Sequence, residues 1–582
     1  MLMLLVVTTF NSCADKSIRE QTVKDVMDQT VTKLYKTMSQ KQLDSLTNEQ
    51  VMALFNDDEK KVLATKHWMF DVNVPVVVSV MRSTAQKTVP FWLASAGFVK
   101  TSKTMKNEQV TYEVWQKNFN AGHVGLGVNG FEDYMLHYFV SVTPQNKKDQ
   151  LELSNFFPAN QYVGTLNDSA FTYHDWTELV LMNVPADMKG EKLLTTIRGR
   201  GTESHLVGAF RKTAYPSSST PDQVMLTWSA DPSTSIDIQW RTDTTVKEGK
   251  VNYREKGSSK IMSMAAEKFK MEDRNLMNDR YINRFTAQLK NLKPGTTYEY
   301  QIAPQADWNK KCTFSTPAPD SSFSFVWTGD THHSPTITKL YNLADQSHPD
   351  AAFYSIAGDM VTEGLYRDQW DDLFHFTKDV IYRKPLMAVI GNHDTRQGLG
   401  AWMYRALFSY PKNAPVGVNP EHTYSFRYKN ALFLMIESTA SVDSQKVWIE
   451  DQLAKSDATW KFVMFHFAPY NWDEPYPDIQ AAWVPIFDKY HVDMVMNGHI
   501  HYYMRTKPMK GGKVVGSYNE GTAYVESVAI PTTPEKHPEE PYTVVRNFNG
   551  DIYQYVKIEG KKMSFRTVNS DNRVIDSFVI KK

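Results

Sequence analysis

The chain predicts a multidomain protein: a layered α/β domain over residues 320–582, preceded by two β-sandwich domains and an N-terminal helical segment. Three observations predict it. From residue 320 onward, apolar runs of strand character alternate with helical stretches at roughly thirty residues per unit, the rhythm of βαβ units in a largely parallel sheet. Between about residues 67 and 316, short runs read as strands, and those after Pro221 alternate apolar and polar positions with period two, as half-buried strands do. Residues 14–66 are polar, with spaced apolar positions of helical character. A length of 582 residues at 41% apolar content accommodates three or four domains with proper cores.

In chain order, Leu2 to Val7 is an apolar run too short to span a bilayer, and it ends at Phe10-Asn11-Ser12-Cys13. This resembles a bacterial lipoprotein signal over residues 1–13. The resemblance implies lipidation of Cys13 and a membrane-anchored protein of the bacterial cell envelope. Phe10 in place of a small aliphatic residue and the missing basic start depart from the pattern; the alternative is an uncleaved N-terminus. Cys312 is the only other cysteine, so a disulfide framework is not in play. Residues 14–66 place Leu43, Leu46, Val51, Leu54, Phe55 and Val62 at apolar positions, and Thr47-Asn48-Glu49-Gln50 reads as a helix start. They form either a stalk or, as preferred here, helices packed on the next domain. Residues 67–212 carry Val76 to Val80, Thr111 to Trp115 and His137 to Val142 as strands of a β-sandwich whose aromatics serve core packing.

Ser217-Ser218-Ser219-Thr220-Pro221 and Thr316-Pro317-Ala318-Pro319 bracket a second sandwich over residues 217–316. Its runs are Gln223 to Ser229, Ser235 to Arg241 and Lys250 to Arg254. A Pro294-Gly295 turn then precedes Tyr298 and Tyr300, suiting a sandwich corner where a tyrosine hydroxyl bonds back to nearby backbone. In the last domain Thr338–Gln346, Asp368–Tyr382, Ser444–Lys455 and Ile479–Tyr490 read as helices, with Val447, Ile449, Leu453 and Ala454 marking the apolar side of the third. Ile552 to Ile580 reads as strands that close one sheet.

Five short motifs follow apolar runs in this domain. They are Gly329-Asp330-Thr331-His332, Gly358-Asp359, Gly391-Asn392-His393-Asp394, the lone His466, and Gly498-His499-Ile500-His501. Asp, His and Asn thus collect at the C-terminal ends of strands, where open α/β sheets place their ligand crevices. Taken singly, each has a bland reading: Gly-Asp after a strand is usually a turn, and a lone histidine is more often a satisfied core residue. Together they offer the hard carboxylate and borderline imidazole donors that suit a pair of cations. Two cations about 3.5–4 Å apart can clamp the attacking and leaving oxygens of a phosphoryl displacement.

In this order the motifs resemble the calcineurin-like metallophosphoesterase superfamily, whose pattern is Asp-x-His, Gly-Asp, Gly-Asn-His-Asp/Glu, His, Gly-His-x-His. The resemblance implies two mixed sheets sandwiched between helices, with the site at their loop edge. It places Asp330, His332 and His501 on one metal and Asn392, His466 and His499 on the other, with Asp359 bridging. A hydroxide generated between the metals would be the nucleophile, His393 the general acid that protonates the departing alkoxide, and Asp394 its orienting partner. The cofactors implied are two divalent or mixed-valence ions, Mn, Zn or Fe. His333 belongs to no motif, while Arg396 and Tyr470 face either the substrate or the core.

Residues 217–316 resemble the fibronectin type III-like domain that precedes the catalytic domain in purple acid phosphatases. Two departures stand out. Those enzymes carry Asp-x-Gly where this chain has Asp330-Thr331-His332, and a tyrosine three residues after the bridging aspartate where this chain has Thr362. Without that tyrosinate no purple charge-transfer colour is expected, and His332 returns the site to the general superfamily type.

The formal net charge is zero, which argues against a nucleic-acid partner, since duplex affinity rests on neutralising phosphates with basic groups. The expected partner is a small-molecule phosphoester. Asp473-Glu474-Pro475-Tyr476-Pro477 after His466 forms an acidic wall that disfavours polyanions, an argument for diesters. Phosphomonoesterase and phosphodiesterase or nucleotide hydrolase readings both stay open, as does a non-catalytic surface binding protein. Oligomeric state is not legible.

Overall fold

The computed structural model describes residues 21–133, 136–159, 161–173, 176–303, 312–320, 322–395, 400–472, 476–530, 540–548 and 550–582. Cys13, Arg396 and Asp473-Glu474-Pro475 lie outside the described residues. The chain divides into two compact units, one running to Thr172 and taking in Leu179–Thr196 and Gly201–Gly208, the other built mainly from Ala209–Lys582.

The first unit begins with helices Val23–Thr37, Gln40–Asp44, Asn48–Ala53 and Asp57–Thr65. The expected start at Thr47 is a capping box: Thr47 N–H donates to Gln50 Oε1 at 2.9 Å, and Gln50 N–H returns to Thr47 Oγ1. Leu43, Leu46, Val51, Phe55 and Val62 are buried. The last helix joins the sheet directly, with Val128 N–H donating to Leu63 O. Three antiparallel strands centred on Trp68–Val72 face a six-stranded antiparallel sheet containing Val76–Ser83, Thr111–Phe119 and Phe139–Pro144. Trp68, Phe70, Val78, Val80, Trp92, Tyr138 and Val140 fill the space between.

In the second unit, two four-stranded antiparallel sheets form the domain after Pro221. Trp240 stacks on Phe285 in its core. The tyrosine corner is present, Lys293 N–H donating to Tyr298 Oη at 2.8 Å.

The remainder is a pair of mixed sheets. One has six strands in the order Leu386–Ala388, Ala351–Ile356, Ser322–Thr328, Ile552–Glu559, Lys562–Asn569, Val574–Lys581; the first three run parallel and the last three close the sheet antiparallel. The other has seven strands, with Ala431–Met435, Trp460–Phe467, Met494–Gly498 and Ala523–Glu526 consecutive and parallel. Phe325 and Phe353 of the first sheet meet Phe433 and Phe462 of the second at ring-centroid distances of 5.3–5.5 Å. Such edge contacts add about 0.5–1.5 kcal/mol each beyond area burial.

Two helix readings are corrected. Residues 477–490 form two helices, Pro477–Ala482 and Val484–Tyr490, because Pro485 lacks the N–H that would continue the first ladder. In Val442–Ala454 the buried side is Gln445, Ile449 and Leu453, spaced by four, whereas Val447 is 78% exposed and Ala454 is exposed. Gln445 is tolerated there because it bonds Thr423 Oγ1 and Glu437 O.

Candidate metal centre

Every motif lies at the end of a strand, and both sheets contribute. Asp330, Asp359 and Asn392 follow Ser322–Thr328, Ala351–Ile356 and Leu386–Ala388 of the six-stranded sheet; His466, His499 and His501 come from Trp460–Phe467 and the end of Met494–Gly498 in the seven-stranded one. The backbone is bent to this purpose. His332, Asp359 and His499 adopt φ of +40°, +48° and +77°, left-handed conformations that cost about 1–3 kcal/mol each and persist where surrounding structure over-determines them. The preceding glycines leave no room for a side chain: a Cβ on Gly391 would lie 2.1 Å from Asp359 Oδ1, and one on Gly498 2.3 Å from Asp330 Oδ1.

The seven expected ligands converge. His501 Nε2 lies 3.2 Å and His332 Nε2 3.7 Å from Asp330 Oδ2, and the two imidazole nitrogens are 3.3 Å apart. His466 Nε2 lies 3.2 Å from Asp359 Oδ2 and 3.1 Å from Asn392 Oδ1. His332 Nε2 is 3.8 Å from the same Asp359 oxygen, so this carboxylate sits between the two groups. Asp330 His332 His501 and Asp359 His466 His499 each gather their donor atoms within 4.8 Å. Asp330, Asp359 and His466 are essentially inaccessible, while His501 is half exposed. Asp330 Oδ2 is buried and has no well-aligned hydrogen bond despite the nearby imidazoles. A buried carboxylate oxygen facing imidazole nitrogens is the environment a cation completes, and the O/N donor set fits Mn, Zn or Fe.

Outer contacts fix the rings. His466 Nδ1 donates to Ala357 O at 2.8 Å, which turns Nε2 toward Asp359 and Asn392. Asp330 Oδ1 accepts from His499 N–H, and Asp359 Oδ1 from His393 N–H. Burial opposes the charge on Asp359, but His466 and His393 hold its carboxyl well below the usual range. Burial likewise opposes charge on His466, yet Asp359 and Asp330 raise it to about 9. For His332 burial wins over the same carboxylates and brings it down to about 4.

His393 stands beside the ligands, its Nε2 4.0 Å from Asp359 Oδ2 and its side chain 32% exposed. The orienting role expected of Asp394 is corrected. Asp394 gives its two oxygens to the amides of Gly391 (3.0 Å) and Val361 (3.2 Å), whereas His393 Nδ1 donates to the Thr362 carbonyl at 2.8 Å. Burial and the Asp359 charge push the Asp394 carboxyl well above its usual range, so it acts as a turn-closing group. A backbone carbonyl has no sequence signature, which is why this partner was missed. Thr362, standing where the purple enzymes carry tyrosine, turns its hydroxyl to His332 Nδ1 at 3.4 Å. His333 pairs with Asp372 at 3.1 Å, away from the ligand set. Tyr470 is buried against Tyr524 and Tyr542, a packing residue. Beside His499, Phe467 and Tyr476 stack at 4.9 Å, an aromatic wall the sequence reading did not single out.

A paired-sheet fold brings carboxylates and imidazoles together at its strand ends, the arrangement expected of a metallophosphoesterase. Residues 323–503 match the calcineurin-like phosphoesterase family. Residues 221–316 match the N-terminal domain of purple acid phosphatases. An uncharacterised protein of Mycobacterium tuberculosis is 26% identical over 332 residues, covering 49% of this chain and 62% of the relative. A purple acid phosphatase of Glycine max is 23% identical over 322 residues, 50% of this chain and 67% of the relative. The fold is shared with a purple acid phosphatase from seeds of yellow lupin (Lupinus luteus), with a TM-score of 0.53, 16% identity and coverage of 89% of this chain and 93% of that one.

Proposed function

We propose that this protein hydrolyses phosphoesters at a two-cation centre held by Asp330, His332, Asp359, Asn392, His466, His499 and His501, with His393 as general acid. The convergence of these seven side chains from the strand ends of two sheets is the observation that supports it most. Bound there, the cations would supply positive charge to the phosphoryl oxygens and an activated water as nucleophile. The chain's own residues do the rest. Asn392 presents its amide at the second group of ligands, where it can also hold a phosphoryl oxygen. With Nδ1 anchored on Thr362 O, His393 turns Nε2 to the open side of the site and can deliver a proton to the leaving oxygen. Such a transfer is worth about 10²–10⁴-fold in rate.

The substrate is a small phosphoester. The acidic stretch after His466 and the Phe467–Tyr476 wall beside His499 favour a diester with an apolar or aromatic group over a polyanionic monoester. The test compares initial rates on a chromogenic monoester and the matching diester, with metal-reconstituted protein lacking residues 1–13. Diester preference abolished in His393→Ala with metal content retained is the expected result. Monoester preference would place it with the purple acid phosphatase relatives in activity, and no turnover on either would leave a binding protein.

We also propose that Cys13 carries a lipid anchor, on the strength of Leu2 to Val7 and the cysteine that follows. Among the described residues no helix is long and apolar enough to cross a membrane. Membrane-fraction retention lost in Cys13→Ala is expected; unchanged partitioning would refute it.

A further inference from the structure

We propose that Gln369 is the positioning residue for His393, acting through the Thr362–Glu363 peptide; this rests on the reading of His393 as general acid. The carbonyl of Thr362 and the N–H of Glu363 are opposite ends of one rigid planar group. Gln369 Oε1 accepts that Glu363 N–H at 2.7 Å and the Thr362 N–H at 3.0 Å. Holding the N–H end fixes where the carbonyl end points, and it points at His393 Nδ1, 2.8 Å away. A return contact, Gly364 N–H to His393 O at 2.9 Å, keeps the two segments in register. With Nδ1 committed as donor, the proton delivered to substrate is confined to Nε2.

Gln369 is itself well supported. It lies in the first turn of helix Arg367–Ile381, its own N–H donating to Tyr366 O. Two residues earlier, fully buried Arg367 is tied by its amide to Asp273 and by its guanidinium to Asp279 and Asp371. Trp370, the next residue, donates its indole N–H to Gly364 O. Gln369 therefore presents one oxygen from a rigid element to a loop that both His332, through the Thr362 hydroxyl, and His393 lean on. No motif marks it, because its partners are backbone amides.

The test measures kcat over a series of substituted phenyl esters of the class the wild type hydrolyses, ordered by leaving-group basicity, with metal content checked for each protein. Loss of proton delivery penalises basic leaving groups most. Gln369→Ala should steepen the dependence toward that of His393→Ala, losing roughly 10–100-fold more on the most basic leaving group than on p-nitrophenyl. Gln369→Glu, which keeps an acceptor oxygen at the same reach, should restore the shallow dependence. In histidine-¹⁵N-labelled, zinc-loaded full-length protein, the Nδ1–H signal of His393 should be present in the wild type and in Gln369→Glu and weakened in Gln369→Ala. A shallow dependence in His393→Ala would overturn the general-acid reading itself. A steep dependence in His393→Ala but not in Gln369→Ala, or an equal loss on every ester with Nδ1–H intact, would overturn the positioning role alone.

Discussion

Replacing Asp371 by alanine tests how the helix that carries Gln369 is held. Asp371 is 1% exposed and lies between Arg241 and Arg367, both fully buried. Its Oδ1 accepts from Arg241 Nη1 at 2.8 Å and Gln223 Nε2 at 2.7 Å, and its Oδ2 from Arg367 Nη1 at 3.2 Å. Burial pushes this carboxyl above its ordinary range in spite of the two guanidinium neighbours, so the group is kept charged at a cost. Removing it strands two buried cations, which costs about 3–5 kcal/mol. Arg241 retains Asp222 at 2.6 Å and Arg367 retains Asp279 at 3.1 Å, which puts the loss near the lower end, about 3 kcal/mol. For a cooperative unit of roughly 380 residues that corresponds to a fall in melting temperature of about 4 °C. Near-ultraviolet circular dichroism on metal-loaded wild type, Asp371→Ala and Asp371→Asn reads it directly. A fall below about 1 °C in Asp371→Ala would show that water or relaxation replaces the carboxylate and that the ion network does not hold the helix.

Three other outcomes are expected. Gly498→Ala places a Cβ where Asp330 Oδ1 now lies, 2.3 Å away; plasma mass spectrometry should find at least one cation equivalent lost, with activity lost alongside. Chelation of the loaded protein should lower its melting temperature, since a ligand at 100 times its Kd stabilises by about 2.7 kcal/mol; an unchanged transition would argue against a bound centre. Glu191→Gln should raise the stability of the first unit at neutral pH. Burial lifts the Glu191 carboxyl above its unfolded value despite a hydrogen bond from Ser141, so the ionised form is penalised in the fold. The penalty is absent below the unfolded pKa of about 4.3 and grows as pH rises through the folded value. The gain, measured by thermal melts across pH 3 to 8, should vanish at the acid end.

The strand ends were legible because their motifs are chemically distinctive: Asp330, His332, Asp359, Asn392, His466, His499 and His501, the set the superfamily resemblance implied, lie close together in the fold. The tyrosine corner at Tyr298 and the capping box at Thr47 were legible for the same reason, each being a local motif with one geometry. What failed depended on backbone or on tertiary context. Asp394 looks like a histidine orienter because it is next to His393 in sequence, but the turn directs its oxygens to amides. Val447 looks like core by hydropathy, yet its place on the helix faces solvent, and polar Gln445 is the residue enclosed. Pro485 was passed over inside a plausible apolar period, although its missing N–H ends the helix.

The place of strand Ile552–Glu559 has a consequence for biosynthesis. It is the antiparallel neighbour of Ser322–Thr328, the strand that delivers Asp330. During translation the first three strands of that sheet and all of the motifs emerge with one long edge still open, and an open edge is where chains pair wrongly with one another. The half that bears the expected ligands therefore waits on a three-stranded meander that contributes none of them. A ribosome stalled before residue 552 would release a product with every expected ligand present in sequence and an unfinished sheet beneath them, a candidate for chaperone capture and proteolysis. Quality control of this protein is thus tied to its downstream strands, and supplying residues 550–582 in trans is a route to completing the sheet of such a truncated product.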